Sequence, residues 1–244
     1  IPVDSEHSAI SQVIRGEERD SLSKIIITAS GGAFRNLSKT DLLHVTPDQA
    51  STHPNWDMGK RITIDSTSLF NKALEIIEAK EFFNLTASEI EVLIHPESLV
   101  HAIACFHDGG MKAHLSPADM RHAIAYALHE EQRFKLSLDE VNLAETGSLN
   151  FEKPDFTKYP SLELGYDVVE YGGLAGAAFN AAKEEALDNF ISCKLSFLGM
   201  ADVVRATMDE LYSANELNND LEIEAILELD RLARSVAKTF VEKF

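Results

Sequence analysis

The chain has 244 residues, enough for one large domain or two modest ones. It is 45% hydrophobic and 25% charged, the balance of an ordinary globular protein, and 40 acidic against 22 basic residues give it a formal charge of −18. Such a surface repels nucleic acid and anionic membrane, so neither is expected as a partner, and an anionic ligand needs a local basic site working against the global field. Apolar runs fall short of the roughly 20 residues a membrane span requires. The two cysteines, Cys105 and Cys193, sit in no metal-type spacing and read as reduced, buried thiols of a cytoplasmic protein.

The chain opens on Ile1-Pro2-Val3 without an initiator Met, as expected of a truncated or processed protein or of a stretch that begins inside a longer one. Helices are expected near residues 7–14, 39–43, 67–81 and 117–130. Between them, the β-branched run from Lys24 to Ala29 reads as a buried strand feeding the loop Ser30-Gly31-Gly32. Residues 91–95 form a second strand candidate, and residues 99–106 and 111–115 flank Asp108-Gly109-Gly110 as a hairpin. Residues 131–165, with Gly147, Pro154 and Pro160, read as a connecting stretch. From 166 onward the spacing is helical, most clearly in Ile226, Leu229, Leu232, Ala233, Val236, Ala237 and Phe240. The expected fold is therefore an α+β (α/β-type) domain over 1–130 with a small mixed sheet flanked by helices. A linker over 131–165 and an all-α helical bundle over 166–244 follow.

Five segments carry chemistry. If the first residues are extended, Asp4 and Glu6 project to one side and offer oxygen ligands to a hard divalent ion; alternatively Asp4 or Ser5 caps a helix. Ser30-Gly31-Gly32 can bring backbone N–H groups to an anion or be a plain turn. In His53-Pro54-Asn55-Trp56-Asp57-Met58-Gly59-Lys60 the single Trp of the chain either covers a ligand as a lid or pins the loop to the core. Asp65-Ser66-Thr67 reads as a helix start, followed by Asn71 and Glu75 one turn apart with Lys72 beside them. That face suits an anion and a cation together, or is a solvated Lys72–Glu75 pair. His95 and His101 could each be a ligand or a proton carrier, or a satisfied structural histidine, the commoner case.

In this order the segments resemble one family. Pro2-Val3-Asp4-Ser5-Glu6-His7-Ser8-Ala9-Ile10, Thr28-Ala29-Ser30-Gly31-Gly32, the 53–60 segment, Ile64-Asp65-Ser66-Thr67 with Asn71-Lys72 and Glu75, the strand ending in His95-Pro96, and Asp119-Met120-Arg121 are similar to motifs of 1-deoxy-D-xylulose 5-phosphate reductoisomerases. Gly147-Ser148-Leu149 and Asn180-Ala181-Ala182 extend the resemblance to the end of the chain.

The resemblance implies conversion of 1-deoxy-D-xylulose 5-phosphate to 2-C-methyl-D-erythritol 4-phosphate, in isoprenoid synthesis, with NADPH and Mg²⁺ or Mn²⁺ (Co²⁺ also serving) in a homodimer. It implies Asp4, Glu6 and Glu75 as metal ligands. Ser30, His53, Ser66, Asn71 and Lys72 would hold the phosphate and Ser5 the substrate backbone. Trp56, Met58 and Gly59 would form the lid, and Met120 would lie near the cofactor; Glu6, Lys72 and Glu75 would act in catalysis. Ala33, Ala118 and Lys183 stand where the family usually has Pro, Pro and Asn. No Gly-x-Gly-x-x-Gly fingerprint is present, so the nucleotide-binding part is expected to lie outside this stretch, which would be inactive by itself. Competing readings are a metal-dependent sugar-phosphate phosphatase or lyase and a non-catalytic dimerisation fragment.

Overall fold

A computed structural model of the chain describes residues 1–52, 58–217 and 221–243. The chain forms two compact units that interleave in sequence. The first comprises Ile1–Gly31, Pro54–Asp57 and Ala79–Pro154, and the second Gly32–His53, Met58–Glu78 and Asp155–Phe244.

The first unit is built on a four-stranded sheet. Its strands are β1 (Leu22–Ala29), β2 (Ile90–Ile94), β3 (Val100–Phe106) and β4 (Met111–Leu115), in the order β2-β1-β3-β4. β1 and β2 are parallel; β3 pairs antiparallel with β1 and β4, so the sheet is mixed. The parallel pair needs a long crossover, which the chain makes through residues 30–89. Buried Ile26, Val100, Ile103 and Cys105 form an apolar cluster of the unit. Helix α1 (Ser5–Ile14) buries Ala9, Ile10 and Val13 and packs on β3 and β4. The hairpin turn forms where Asp108 Oδ1 accepts from Gly110 N at 2.8 Å and Gly109 takes φ +88°. His95 is fully buried: Nδ1 lies 2.8 Å from Asn150 O and Nε2 accepts from Leu99 N at 3.2 Å. His101 Nε2 lies 3.1 Å from Ser116 O. Both histidines are thus structural.

The second unit is helical. The crossover contributes α2 (Pro47–Ala50), α3 (Lys60–Thr67) and α4 (Phe70–Phe83), whose last turn falls in the first unit. Then, after α5 (Met120–Leu128) and α6 (Leu143–Thr146) of the first unit, come α7 (Pro160–Tyr171), α8 (Ala175–Ile191), α9 (Phe197–Ser213) and α10 (Ile223–Val241). The core runs through Phe70, Ala178, Phe179, Phe190, Val203 and Val204, each at most 2% exposed. In α10, Leu229, Ala233 and Ala237 are buried, Ile226, Val236 and Phe240 are partly buried, and Leu232 is 38% exposed.

Of the two readings of Asp4 the cap holds: its carboxylate caps α1, so Ser5 and Glu6 are helical. Three expectations are corrected. Asp65 and Ser66 end α3 and do not start α4; Ser68 is the C-cap and Leu69 then takes φ +59° to turn the chain into α4. Pro160 opens α7, since its ring presets helical φ and its missing N–H is not needed in a first turn. Cys105 is buried as expected, but Cys193 is exposed.

Candidate functional site

In the first unit, Asp4 Oδ1 accepts from the N–H groups of Glu6 at 3.0 Å and His7 at 3.1 Å. The cap fixes the Asp4 carboxylate at a helix N-terminus, where negative charge is favoured, and sets Glu6 in the first turn. Ser5 donates its hydroxyl to the Glu6 carboxylate. All three are half-buried. Ser30 follows directly on β1, outside the carboxyl end of a central strand, the end at which α/β sheets place their ligands. Met120 is the first residue of α5 and 37% exposed; Asp119 caps that helix by accepting from Arg121 N at 2.9 Å.

In the second unit, Gly32 lies against α3. A Cβ on it would come within 2.4 Å of Thr67 Cα and 3.1 Å of Ser66 O, and its φ is +63°. Only glycine fits there, so the end of the Gly-Gly loop is docked onto the turn that carries Ser66. On α4, Asn71 Nδ2 and Lys72 Nζ each donate to the Glu75 carboxylate at 2.5 Å. Lys72 is 5% exposed and Glu75 2%, so this is a buried cluster and not the solvated pair that spacing alone allowed. A buried charge persists only when paired, and such paired buried groups are favoured at functional sites. Met58 is half-buried and Gly59 is exposed as the N-cap of α3. His53 and Trp56 lie outside the described residues.

Two buried lysines have partners that the sequence did not reveal, although Lys183 stood out as a departure from the family pattern. Lys158 Nζ donates to Phe34 O and Arg35 O, both at 2.8 Å, and so ties down the chain just after the Gly-Gly loop. Lys183 on α8 donates to Asp65 Oδ2 at 2.9 Å. Burial raises the Asp65 pKa, and Lys183 partly offsets the rise. Both contacts span more than a hundred residues, and neither lysine has a local signal.

The fold is that of an α+β protein in which a unit built on a mixed sheet interleaves in sequence with a helical unit. Residues 1–83 match the 1-deoxy-D-xylulose 5-phosphate reductoisomerase C-terminal domain, and residues 115–236 match a second C-terminal domain of the DXP reductoisomerases. A reductoisomerase of Jannaschia sp. is 49% identical over 97% of this chain and 61% of its own length. The one from Ruegeria pomeroyi is 51% identical over 96% and 60%. The Zymomonas mobilis enzyme, solved with NADPH, superposes with a TM-score of 0.92 at 34% identity, covering 100% of this chain and 62% of that one. A DOX-P reductoisomerase solved with NADPH, fosmidomycin and magnesium gives 0.93 at 35% identity, covering 99% and 63%. The chain belongs to the 1-deoxy-D-xylulose 5-phosphate reductoisomerase family, and it spans about 60% of the length of these curated relatives.

Proposed function

We propose that this chain is the metal- and phosphate-holding part of an enzyme that converts 1-deoxy-D-xylulose 5-phosphate to 2-C-methyl-D-erythritol 4-phosphate with NADPH. The observation that carries the reading is the buried Lys72–Glu75 pair on α4 with half-buried Asn71 beside it, in a chain of this family. As it stands the cluster is a neutral ion pair; a metal ion at Glu75 would take over the carboxylate and leave Lys72 as the local cation that an anionic substrate requires in a −18 protein.

Asp4, Glu6 and Glu75 would hold one divalent ion. Three carboxylates are the hard oxygen donors that Mg²⁺ or Mn²⁺ selects, and they leave positions for the oxygens of a hydroxyketone. When bound, the ion polarises a carbonyl and stabilises negative charge on oxygen. The chain's own residues do the rest. Ser30, Ser66, Asn71 and Lys72 would take the phosphate, with His53 nearby. That group is remote from the reacting carbons, so its binding energy serves to position them. Lys72 supplies charge and Asn71 and the serines direct hydrogen bonds. Ser5 would meet the sugar backbone, Trp56, Met58 and Gly59 would exclude water as a lid, and Met120 would wall the reduction site. NADPH enters through the family alone, since the sequence carries no Gly-x-Gly-x-x-Gly. Assembly as a cytoplasmic homodimer belongs to the same reading.

Mn²⁺ titration of the chain, followed by electron paramagnetic resonance, tests the metal set. The expected outcome is one tight site, weakened about 100-fold in Glu75→Gln and in Asp4→Asn, since each removes a charged ligand. Equal Mn²⁺ affinity in both variants would sink the reading.

A further inference from the structure

Helix α3 ends in Asp65-Ser66-Thr67, and the three residues differ in what surrounds them. Thr67 is fully buried and its hydroxyl reaches Thr63 O at 2.9 Å and Ala50 O at 3.1 Å. Ser66 is half-buried. Asp65 is 6% exposed; Oδ2 accepts from Lys183, while Oδ1 is buried and takes no hydrogen bond among the described residues. Lys183 is itself 3% exposed and also donates to Glu184. Around the rim of this pair, Arg61 of the same helix α3 bonds Glu184 and Asp188 of α8.

A carboxylate beside a serine is a poor neighbour for an anion. Asp65 and Ser66 have adjacent Cα atoms about 3.8 Å apart. An unneutralised charge at Asp65, in surroundings that exclude water, would oppose any phosphate at Ser66. The structure resolves the conflict by burying an ammonium against Asp65. We propose that Lys183 is a positioning residue for the anion site: it neutralises Asp65 and clamps the end of α3 to α8, so that Ser66 can receive a phosphate-type anion. The proposal rests on the reading of Ser66 as a phosphate contact. It assigns Lys183 a role at one remove, since nothing requires its ammonium to touch the ligand.

The test is inorganic phosphate binding by the 244-residue chain, measured by calorimetry, with thermal melting as a check on folding. Ser66→Ala reports on the phosphate reading. Lys183→Met leaves the Asp65 carboxylate without its cation and, in a buffer alkaline enough to keep that carboxylate ionised, should weaken phosphate binding about tenfold or more. Lys183→Arg keeps the charge and should stay within about threefold of the parent. The double variant Asp65→Asn with Lys183→Met removes both charges and should recover most of the lost affinity. That recovery separates charge compensation from a purely structural role, which would leave the double variant as weak as the single one. If Lys183→Met binds phosphate as the parent does, or if the double variant does not recover, the proposal is overturned while the phosphate site stands. If phosphate binding is absent in the parent, or unchanged in Ser66→Ala, the phosphate reading falls and takes this proposal with it.

Discussion

At the residue scale, burial decides what each ionisable group can do. The Asn71–Lys72–Glu75 cluster shows it for the site. Spacing put the three on one face but left open whether water covered them, and the 2% exposure of Glu75 decides that. His114 shows it for stability. It is 9% exposed, its Nδ1 has no hydrogen-bond partner among the described residues, and burial together with the nearby His122, His101 and Arg133 pushes its pKa down to about 3. The folded chain therefore keeps His114 neutral, whereas the unfolded chain protonates it below about pH 6.5. Between those two values the unfolded state binds the extra proton, so stability is full above pH 6.5 and declines as pH falls toward 3. From pH 7.5 to 5.0 this group should remove about 2 kcal/mol. Urea midpoints of the parent and of His114→Gln at both pH values check it: the variant should lose clearly less on acidification, and parallel losses would refute the assignment.

Among elements, glycines mark where two backbones meet. Gly32 approaches α3 so closely that an added Cβ would overlap Thr67 Cα, in a backbone conformation that disfavours L side chains. Gly165 of α7 lies against α4, where a Cβ would stand 3.0 Å from Ala73 Cα, Cβ and O alike. Ser161 reinforces the same seam by donating to Ser68 O at 2.6 Å. Gly32→Ala should cost about 2–4 kcal/mol, from overlap plus positive φ, and Gly165→Ala about 1–3 kcal/mol from overlap alone. Thermal melts rank them. On the phosphate reading, Gly32→Ala should also weaken phosphate binding, because the loop can no longer dock beside Ser66. The helix starts were less legible than the stripes. Asp65-Ser66 has the composition of an N-cap but sits at the end of α3, because Leu69 takes the left-handed turn that usually falls to glycine.

For the molecule as a whole, charge dominates. A formal −18 repels itself in the compact state, and salt screens that repulsion over about 10 Å at 0.1 M. Raising NaCl from about 10 to 150 mM should therefore raise the melting temperature. A fall would mean that favourable surface pairs such as Arg205 with Glu163 and Asp167 outweigh the net repulsion. No helix among the described residues is long and apolar enough to cross a membrane.

The sequence by itself determined the four strands to within two residues at either end, the helical character of the chain from 166 onward, the family, and the placing of Asn71, Lys72 and Glu75 on one helix face. Those features are written in local periods of two and 3.6 residues and in short motifs, which any single stretch carries whole. It left undecided whether Asp4 ended a strand or capped a helix. The tertiary structure alone decided which charges are buried and what pairs with them: Lys183 with Asp65, Lys158 with the carbonyls behind the Gly-Gly loop, and Gly32 on Thr67. These contacts join residues 35 to 124 positions apart. No local pattern encodes them, because burial is a property of the packed chain and a residue's neighbours in sequence do not determine what covers it.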